Sequence, residues 1–132
     1  MEINSIRLLT DKFDEMLDFY LNKVGLTKHL LVPNIYAEFE LSNSLLAIYQ
    51  RKLMDKILQI KDRQLAEFQE KTIIVIRVSD IDKTYIDLKN KGIFFLNKPT
   101  IQEEWYLKTA HFRDPDGNII ELNTPYRSGL EL

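Results

Sequence analysis

The order of apolar and polar residues predicts a strand, a helix and three further strands in the first 50 residues. The helix begins after Thr10 or Asp11, because a side-chain oxygen at either position can accept a hydrogen bond from a free backbone N–H. Gly25 ends the helix, since glycine adopts positive φ without steric cost. One apolar stripe runs along this helix, formed by Phe13, Met16, Leu17, Tyr20, Leu21 and Val24. The strands are expected at residues 3–10, 27–32, 35–41 and 45–49.

Residues 51–70 interrupt this pattern with charges of both signs among scattered apolar residues. Such a mixture predicts one or two linker helices on the surface, with a solvated face rather than a binding patch. The first pattern then begins again with a β-branched strand at 72–78. Ser79-Asp80 caps a second helix, and Gly92 ends it. Further strands are expected at residues 93–96, 107–113 and 119–123, the last two joined as a hairpin by turn-forming residues at 114–118.

The two halves of the chain repeat each other in element order and in local sequence. Residues 37–39 (Ala-Glu-Phe) precede a turn and a final strand, as residues 110–112 (Ala-His-Phe) do in the second half. Arg7 and Arg77 stand at equivalent places in the two opening strands and either pair with carboxylates inside or lie outside. Duplication at this scale predicts an α+β domain in which two βαβββ modules form a curved mixed sheet around a cavity. The single domain spans residues 1–132, with module one at about 1–50, the linker at about 51–70 and module two at about 71–125.

Composition narrows the classes of function. Hydrophobic residues make up 45% and charged residues 29% of the chain, the balance of an ordinary soluble globular domain. The absence of cysteine excludes disulfides, thiolate zinc sites and cysteine nucleophiles, and it favours a cytoplasmic location. A net charge of −2 provides no general attraction to nucleic acid or to an anionic membrane. We therefore expect neither partner, and we find no signal-like segment or membrane-spanning apolar run.

A motif near the end of the second half carries a family resemblance. It begins at Trp105, continues through residues 110–118 (Ala-His-Phe-Arg-Asp-Pro-Asp-Gly-Asn) and closes with an apolar pair and Glu121. This stretch resembles the closing hairpin of the glyoxalase, bleomycin-resistance and extradiol-dioxygenase superfamily, also called the vicinal oxygen chelate superfamily. The resemblance extends from Ile3 to about Pro125 and implies the same two-module fold.

The resemblance also implies where a metal ion would bind. Metal-using members hold a divalent ion with His or Glu side chains from the first and last strands of each module. These four positions fall at Ser5, Ala47, Ile73 and Glu121, and Glu121 alone is a usual ligand. One carboxylate does not hold a catalytic ion. The sequence therefore predicts no bound metal and no cofactor, which argues against glyoxalase and dioxygenase chemistry.

His111 and Glu121 are the residues best suited to contact a ligand. If the hairpin centres on Asp116, these two side chains face each other across the sheet and point to the same side. They are then a ligand contact, an acid–base pair, or a structural pair that closes one end of the cavity. Trp105 matches a recurring family tryptophan near the cavity mouth, where it either stacks on a ligand or packs at an edge. The other histidine, His29, is interpreted as a partly exposed strand residue.

Three functions are compatible with these observations. The first, which we prefer, is a metal-independent small-molecule binding protein that resembles the bleomycin-resistance members and forms a homodimer. The second is an enzyme of the same superfamily, lyase-like or dioxygenase-like, with a metal-free or displaced site in which His111 and Glu121 form an acid–base pair. No nucleophile supports this second function. The third is an interaction module, which predicts a filled cavity. The ligand itself is not readable from the sequence.

Overall fold

The structure is a computed structural model that describes residue 1 and residues 3–58, 72–103 and 106–126. The chain divides into two compact units, residues 1–68 and 69–132. Each unit contains a four-stranded mixed sheet, and the two sheets have the same strand order. The α+β class and the two βαβββ modules are thus confirmed. Among the described residues, no helix is long and apolar enough to cross a membrane.

The sheet of the first unit has the order β1, β4, β3, β2. β1 is parallel to β4, and the other neighbours are antiparallel. Helix α1 (Phe13–Asp18) continues as a π-helical segment (Phe19–Val24), and α2 (Arg51–Leu58) follows the last strand. The strands are β1 (Ser5–Thr10), β2 (Lys28–Val32), β3 (Tyr36–Glu40) and β4 (Leu45–Gln50). Buried apolar side chains of the helical segments and the sheet form the core: Phe13, Met16, Phe19, Tyr20, Ala37, Phe39, Leu46, Ala47 and Ile48.

The first helical segment differs in detail from its prediction. Its second half is π-helical, so each backbone hydrogen bond there spans one residue more than in the predicted α-helix. Phe19 is buried although it lies outside the predicted stripe, and its ring meets Tyr20 edge to face at 5.2 Å. Gly25 ends the segment at φ 84°, as predicted. Thr10 accepts a hydrogen bond from the N–H of Lys12 (2.9 Å), one residue before the helix begins.

The sheet of the second unit has the order β5, β8, β7, β6, with β5 parallel to β8. Helix α3 (Ile81–Asn90) begins as predicted, since the carboxylate of Asp80 accepts a hydrogen bond from the N–H of Lys83 (3.1 Å). Gly92 follows the helix at φ 93°. The strands are β5 (Ile73–Arg77), β6 (Thr100–Gln102), β7 (Leu107–Arg113) and β8 (Ile119–Pro125). The buried apolar side chains of this unit are Ile81, Leu88, Ile93, Ala110, Phe112, Ile120 and Leu122.

The prediction of a strand at 93–96 is wrong. This segment makes a single bridge between Phe95 and Phe112, and the strand beside β7 is instead β6. Ile93 is buried and the ring of Phe95 meets that of Phe112 at 5.0 Å, whereas Phe94 and Leu96 are exposed. Beyond the bridge, the side chain of Asn97 takes the hydrogen bond from the N–H of His111 (2.8 Å) that a neighbouring strand would accept.

The hairpin of β7 and β8 is centred on Asp116, so His111 stands directly opposite Glu121. The turn is held by the buried carboxylate of Asp114, which accepts hydrogen bonds from the N–H of Asp116 (2.9 Å) and the N–H of Asn118 (3.0 Å). The side-chain amide of Asn118 donates a third (2.8 Å). These bonds fix the register and therefore the face on which each side chain lies.

The strand registers also correct the expected equivalence of two arginines. Arg7 stands opposite Ala47, whereas Glu121 stands opposite Val75. Because Ala47 and Glu121 hold the same place in the repeat, Arg7 corresponds to Val75 and not to Arg77. The two units therefore present different side chains at equivalent points of their sheets.

Candidate ligand-binding site

A pocket of about 290 Å³ lies on the second unit, against the face of the sheet opposite its buried core. Three consecutive strands of that sheet contribute its walls. Leu107, Thr109 and His111 alternate along β7 and therefore share one face. Gln102 of β6 and Glu121 of β8 complete the lining. The volume is close to the lower end of the range for small-molecule sites, about 300 Å³.

His111 and Glu121 form the polar centre of this pocket. Nε2 of His111 lies 2.9 Å from Oε1 of Glu121. The two side chains are 23% and 21% exposed, so most of the pair is shielded from water. A hydrogen bond in such a place is stronger than one at an open surface, because the local dielectric is lower. Each side chain still reaches the pocket and can contact a ligand.

Three further residues extend this pair into a network, and two of them, Asn97 and Asn123, were not singled out from the sequence. Asn97 contacts His111 through both of its side-chain atoms, at 2.8 Å to the backbone N–H and 3.0 Å to Nδ1. On the other side, Nδ2 of Asn123 lies 3.3 Å from Oε2 of Glu121. The guanidinium Nε of Arg77 donates to Oδ1 of Asn123 at 2.6 Å. The network thus crosses from β5 through β8 and β7 to the segment that precedes β6.

The other residues named from the sequence have different environments. Trp105 lies outside the described residues, so its position beside the pocket stays a prediction. His29 is half exposed on β2, as interpreted, with Nδ1 3.6 Å from a carboxylate oxygen of Glu40. In the first unit, the guanidinium of Arg7 lies over the rings of Tyr36 and Tyr49, at 5.2 and 5.8 Å from their centroids. This arrangement stabilises the arginine by cation–π attraction.

Comparison with known proteins accounts for the repeated βαβββ topology. A family model described as the Glyoxalase/Bleomycin resistance protein/Dioxygenase superfamily matches residues 2–122. The chain belongs to this superfamily. Its members include proteins with quite different roles, so membership establishes the fold and leaves the activity to be argued from the site.

Individual proteins that resemble this superfamily member include one curated sequence and several solved structures. The chain is 37% identical over 124 residues to the uncharacterized protein YraH of Bacillus subtilis (strain 168), with 92% of this chain and 97% of YraH covered. A crystal structure of a glyoxalase/bleomycin resistance protein/dioxygenase from Nocardioides matches with a TM-score of 0.79 at 24% identity, covering 100% of this chain and 89% of that one. A lactoylglutathione lyase from Agrobacterium tumefaciens matches with a TM-score of 0.68 at 17% identity, covering 92% of each chain. At these identities, the two structures support the fold alone.

The residues at the superfamily's metal positions do not suit a divalent ion. Ala47 is fully buried, and its side chain, like that of Ile73, has no donor atom. Glu121 already accepts hydrogen bonds at both carboxylate oxygens. Within the described ranges, no three His, Cys, Asp or Glu side chains are grouped so that they could hold a metal ion.

Proposed function

We propose that this superfamily member binds a small molecule without a metal ion, in the pocket around His111 and Glu121. The observation that carries the proposal is a partly shielded His–carboxylate pair in the wall of a pocket of about 290 Å³. Convergent polar groups in a concave pocket are a usual feature of small-molecule sites, where they orient the ligand. An interaction module with a filled cavity agrees less well with this open volume.

An enzymatic role is the second candidate, since a histidine 2.9 Å from a carboxylate resembles a general acid–base pair. The surrounding bonds favour binding instead. Nε2 of His111 contacts Glu121 and Nδ1 contacts Asn97, so both ring nitrogens have partners within the protein. A general base needs a nitrogen that can take a proton from the substrate. Incubation of each bound compound with the protein, followed by NMR of the compound, should show no chemical change; turnover that is lost in His111→Ala would establish the enzyme.

A thermal-shift screen of small polar and aromatic compounds tests the binding proposal. We expect hits that raise the melting temperature of the wild type and lose most of this effect in His111→Ala and in Glu121→Gln. Glu38→Gln is a suitable control, because Glu38 stands opposite Ala47 just as His111 stands opposite Glu121. Hits that raise the melting temperature of the wild type and of all three variants equally would show that they bind elsewhere, and would refute the proposal.

Metal independence has its own test. Elemental analysis of protein purified without chelators should find less than stoichiometric zinc, iron, nickel or manganese, because Ser5, Ala47 and Ile73 supply no suitable ligands beside Glu121. A stoichiometric metal that is lost together with ligand binding in Glu121→Gln would overturn this part of the proposal.

We further propose that the protein acts as a homodimer. On the edge strand β5, the residues Ile73 and Val75 are more than half exposed. Exposed apolar residues on an unpaired strand edge favour association with another chain. Sedimentation should therefore give the mass of two chains at micromolar concentration, and Val75→Lys should shift the species toward the monomer. A wild type that sediments as a monomer at every accessible concentration would contradict the proposal.

A further inference from the structure

The orientation of the Asn97 side chain is determined by its two contacts with His111. The backbone N–H of His111 lies 2.8 Å from Oδ1 of Asn97 and can only donate. The oxygen end of the amide must therefore face this N–H, because an amide has one acceptor end and one donor end. Nδ2 of Asn97 then lies 3.0 Å from Nδ1 of His111 and donates to it.

This donor determines which hydrogen the neutral imidazole carries. A neutral ring has one N–H, and its other nitrogen accepts. Because Nδ1 accepts from Asn97, the hydrogen is on Nε2, which donates to Oε1 of Glu121 at 2.9 Å. A hydrogen on Nδ1 would oppose the amide hydrogens of Asn97, and turning the amide would break its bond with the backbone.

A second asparagine is oriented in the same way on the opposite side of Glu121. Nε of Arg77 donates to Oδ1 of Asn123 at 2.6 Å, so Nδ2 of Asn123 faces Oε2 of Glu121 at 3.3 Å. Hydrogen bonds from both sides of the network are thus donated toward Glu121. The carboxylate has about four lone-pair positions, and these two donors occupy two of them.

We propose that Asn97 is a positioning residue that directs the hydrogen of the neutral form of His111 to Nε2, so that the pocket selects ligands with a hydrogen-bond donor, such as an amine or a hydroxyl, for Glu121. This inference rests on the proposed binding function and specifies its ligand class. The ring nitrogens of this form have no hydrogen left to offer to a ligand. Among the described residues that line the pocket, none is lysine or arginine, and Glu121 is the one acidic residue. An anionic ligand would therefore meet a carboxylate without a cation in the pocket wall to balance it.

The ring hydrogen can be observed directly by nitrogen NMR. The chain has only two histidines, and His29, which is half exposed in the first unit, serves as the internal reference. Long-range ¹H–¹⁵N spectra at alkaline pH should show His111 with its hydrogen on Nε2. Asn97→Ala should give a mixture of the two neutral forms. Asn97→Asp replaces the donor by an acceptor and should move the ring hydrogen toward Nδ1. His29 should not change in either variant. A wild-type His111 with hydrogen on Nδ1, or the same mixture in wild type and Asn97→Ala, would overturn the positioning role.

The ligand class is tested separately with three probes of similar size: benzylamine, benzyl alcohol and benzoate. Titration followed at the amides of Thr109, His111 and Glu121 should show binding of the amine at least about ten-fold tighter than binding of benzoate, equivalent to about 1.4 kcal/mol. Benzyl alcohol should bind between the two, and Glu121→Gln should remove the preference for the amine. Equal binding of amine and benzoate would refute the ligand class while the binding function stands. If none of the probes perturbs these amides while the ring has its hydrogen on Nε2, the proposed binding function is contradicted and the positioning role is supported.

Discussion

Replacing His111 and Glu121 by alanine, separately and together, should show that the two side chains stabilise the fold through each other. A hydrogen bond that involves a charged group contributes about 1.5–3 kcal/mol. The side chains are 23% and 21% exposed, so water replaces part of the lost interaction in each single variant. We therefore expect a coupling free energy of about 1–2 kcal/mol. Each single replacement should lower the free energy of unfolding by more than the loss of the His111–Glu121 bond alone. It leaves both the partner and the asparagine that was bonded to the removed side chain with an unsatisfied group.

Urea unfolding of the four proteins measures this coupling. Circular dichroism follows the loss of the sheet that contains the pair. Equal urea dependence in all four proteins would show that the compactness of the unfolded state has not changed. The exposed pair of His29 and Glu40, at 3.6 Å, provides a matched cycle followed by circular dichroism, in which the coupling should be close to zero. A coupling below about 0.3 kcal/mol for His111 and Glu121 would be indistinguishable from additivity and would refute the reasoning.

Three further predictions concern the scaffold beneath the pocket. Phe112→Ala should lower the free energy of unfolding by about 3–5 kcal/mol, because Phe112 is fully buried; Phe94→Ala, at an 82% exposed residue, should change it by less than about 0.5 kcal/mol. Asp114→Ala should cost about 2–4 kcal/mol, since three turn hydrogen bonds lose their acceptor, and Asp114→Asn should cost less in the same chemical unfolding assay. Gly92→Ala should cost about 1 kcal/mol from backbone strain alone, because φ is 93° and no atom lies within 4 Å of the added carbon; an unchanged midpoint of unfolding would contradict this origin.

The sequence predicts those features that depend on neighbours along the chain. Asp80 and Gly92 mark the ends of α3 because capping and positive φ are local requirements. The turn-forming residues place the middle of the hairpin at Asp116. Once the middle is known, His111 and Glu121 must stand opposite each other, because both lie five residues away from it. Asn123 could also have been found, since it follows Glu121 by two residues and therefore shares its face of β8.

Features that depend on contacts between residues far apart in the sequence could not be predicted in this way. The apolar run at 93–96 is read as a strand, but only Ile93 is buried and Phe95 packs on Phe112, and the regular ladder begins only at Thr100. Asn97 lies in that misread segment, and nothing in its local sequence indicates that it would contact a residue 14 positions away. The network around Glu121 therefore emerges only when the strands are placed side by side.

The most direct test of the account is to map a bound compound on the protein. Backbone ¹H–¹⁵N spectra recorded during titration with the strongest hit of the thermal-shift screen should show the largest changes at Gln102, Thr109, His111 and Glu121, which line the pocket. The same titration of Glu121→Gln should need at least about ten-fold more compound. If the changes instead cluster around Tyr36 and Tyr49 in the first unit, or persist unaltered in Glu121→Gln, then the pocket of the second unit is not the binding site.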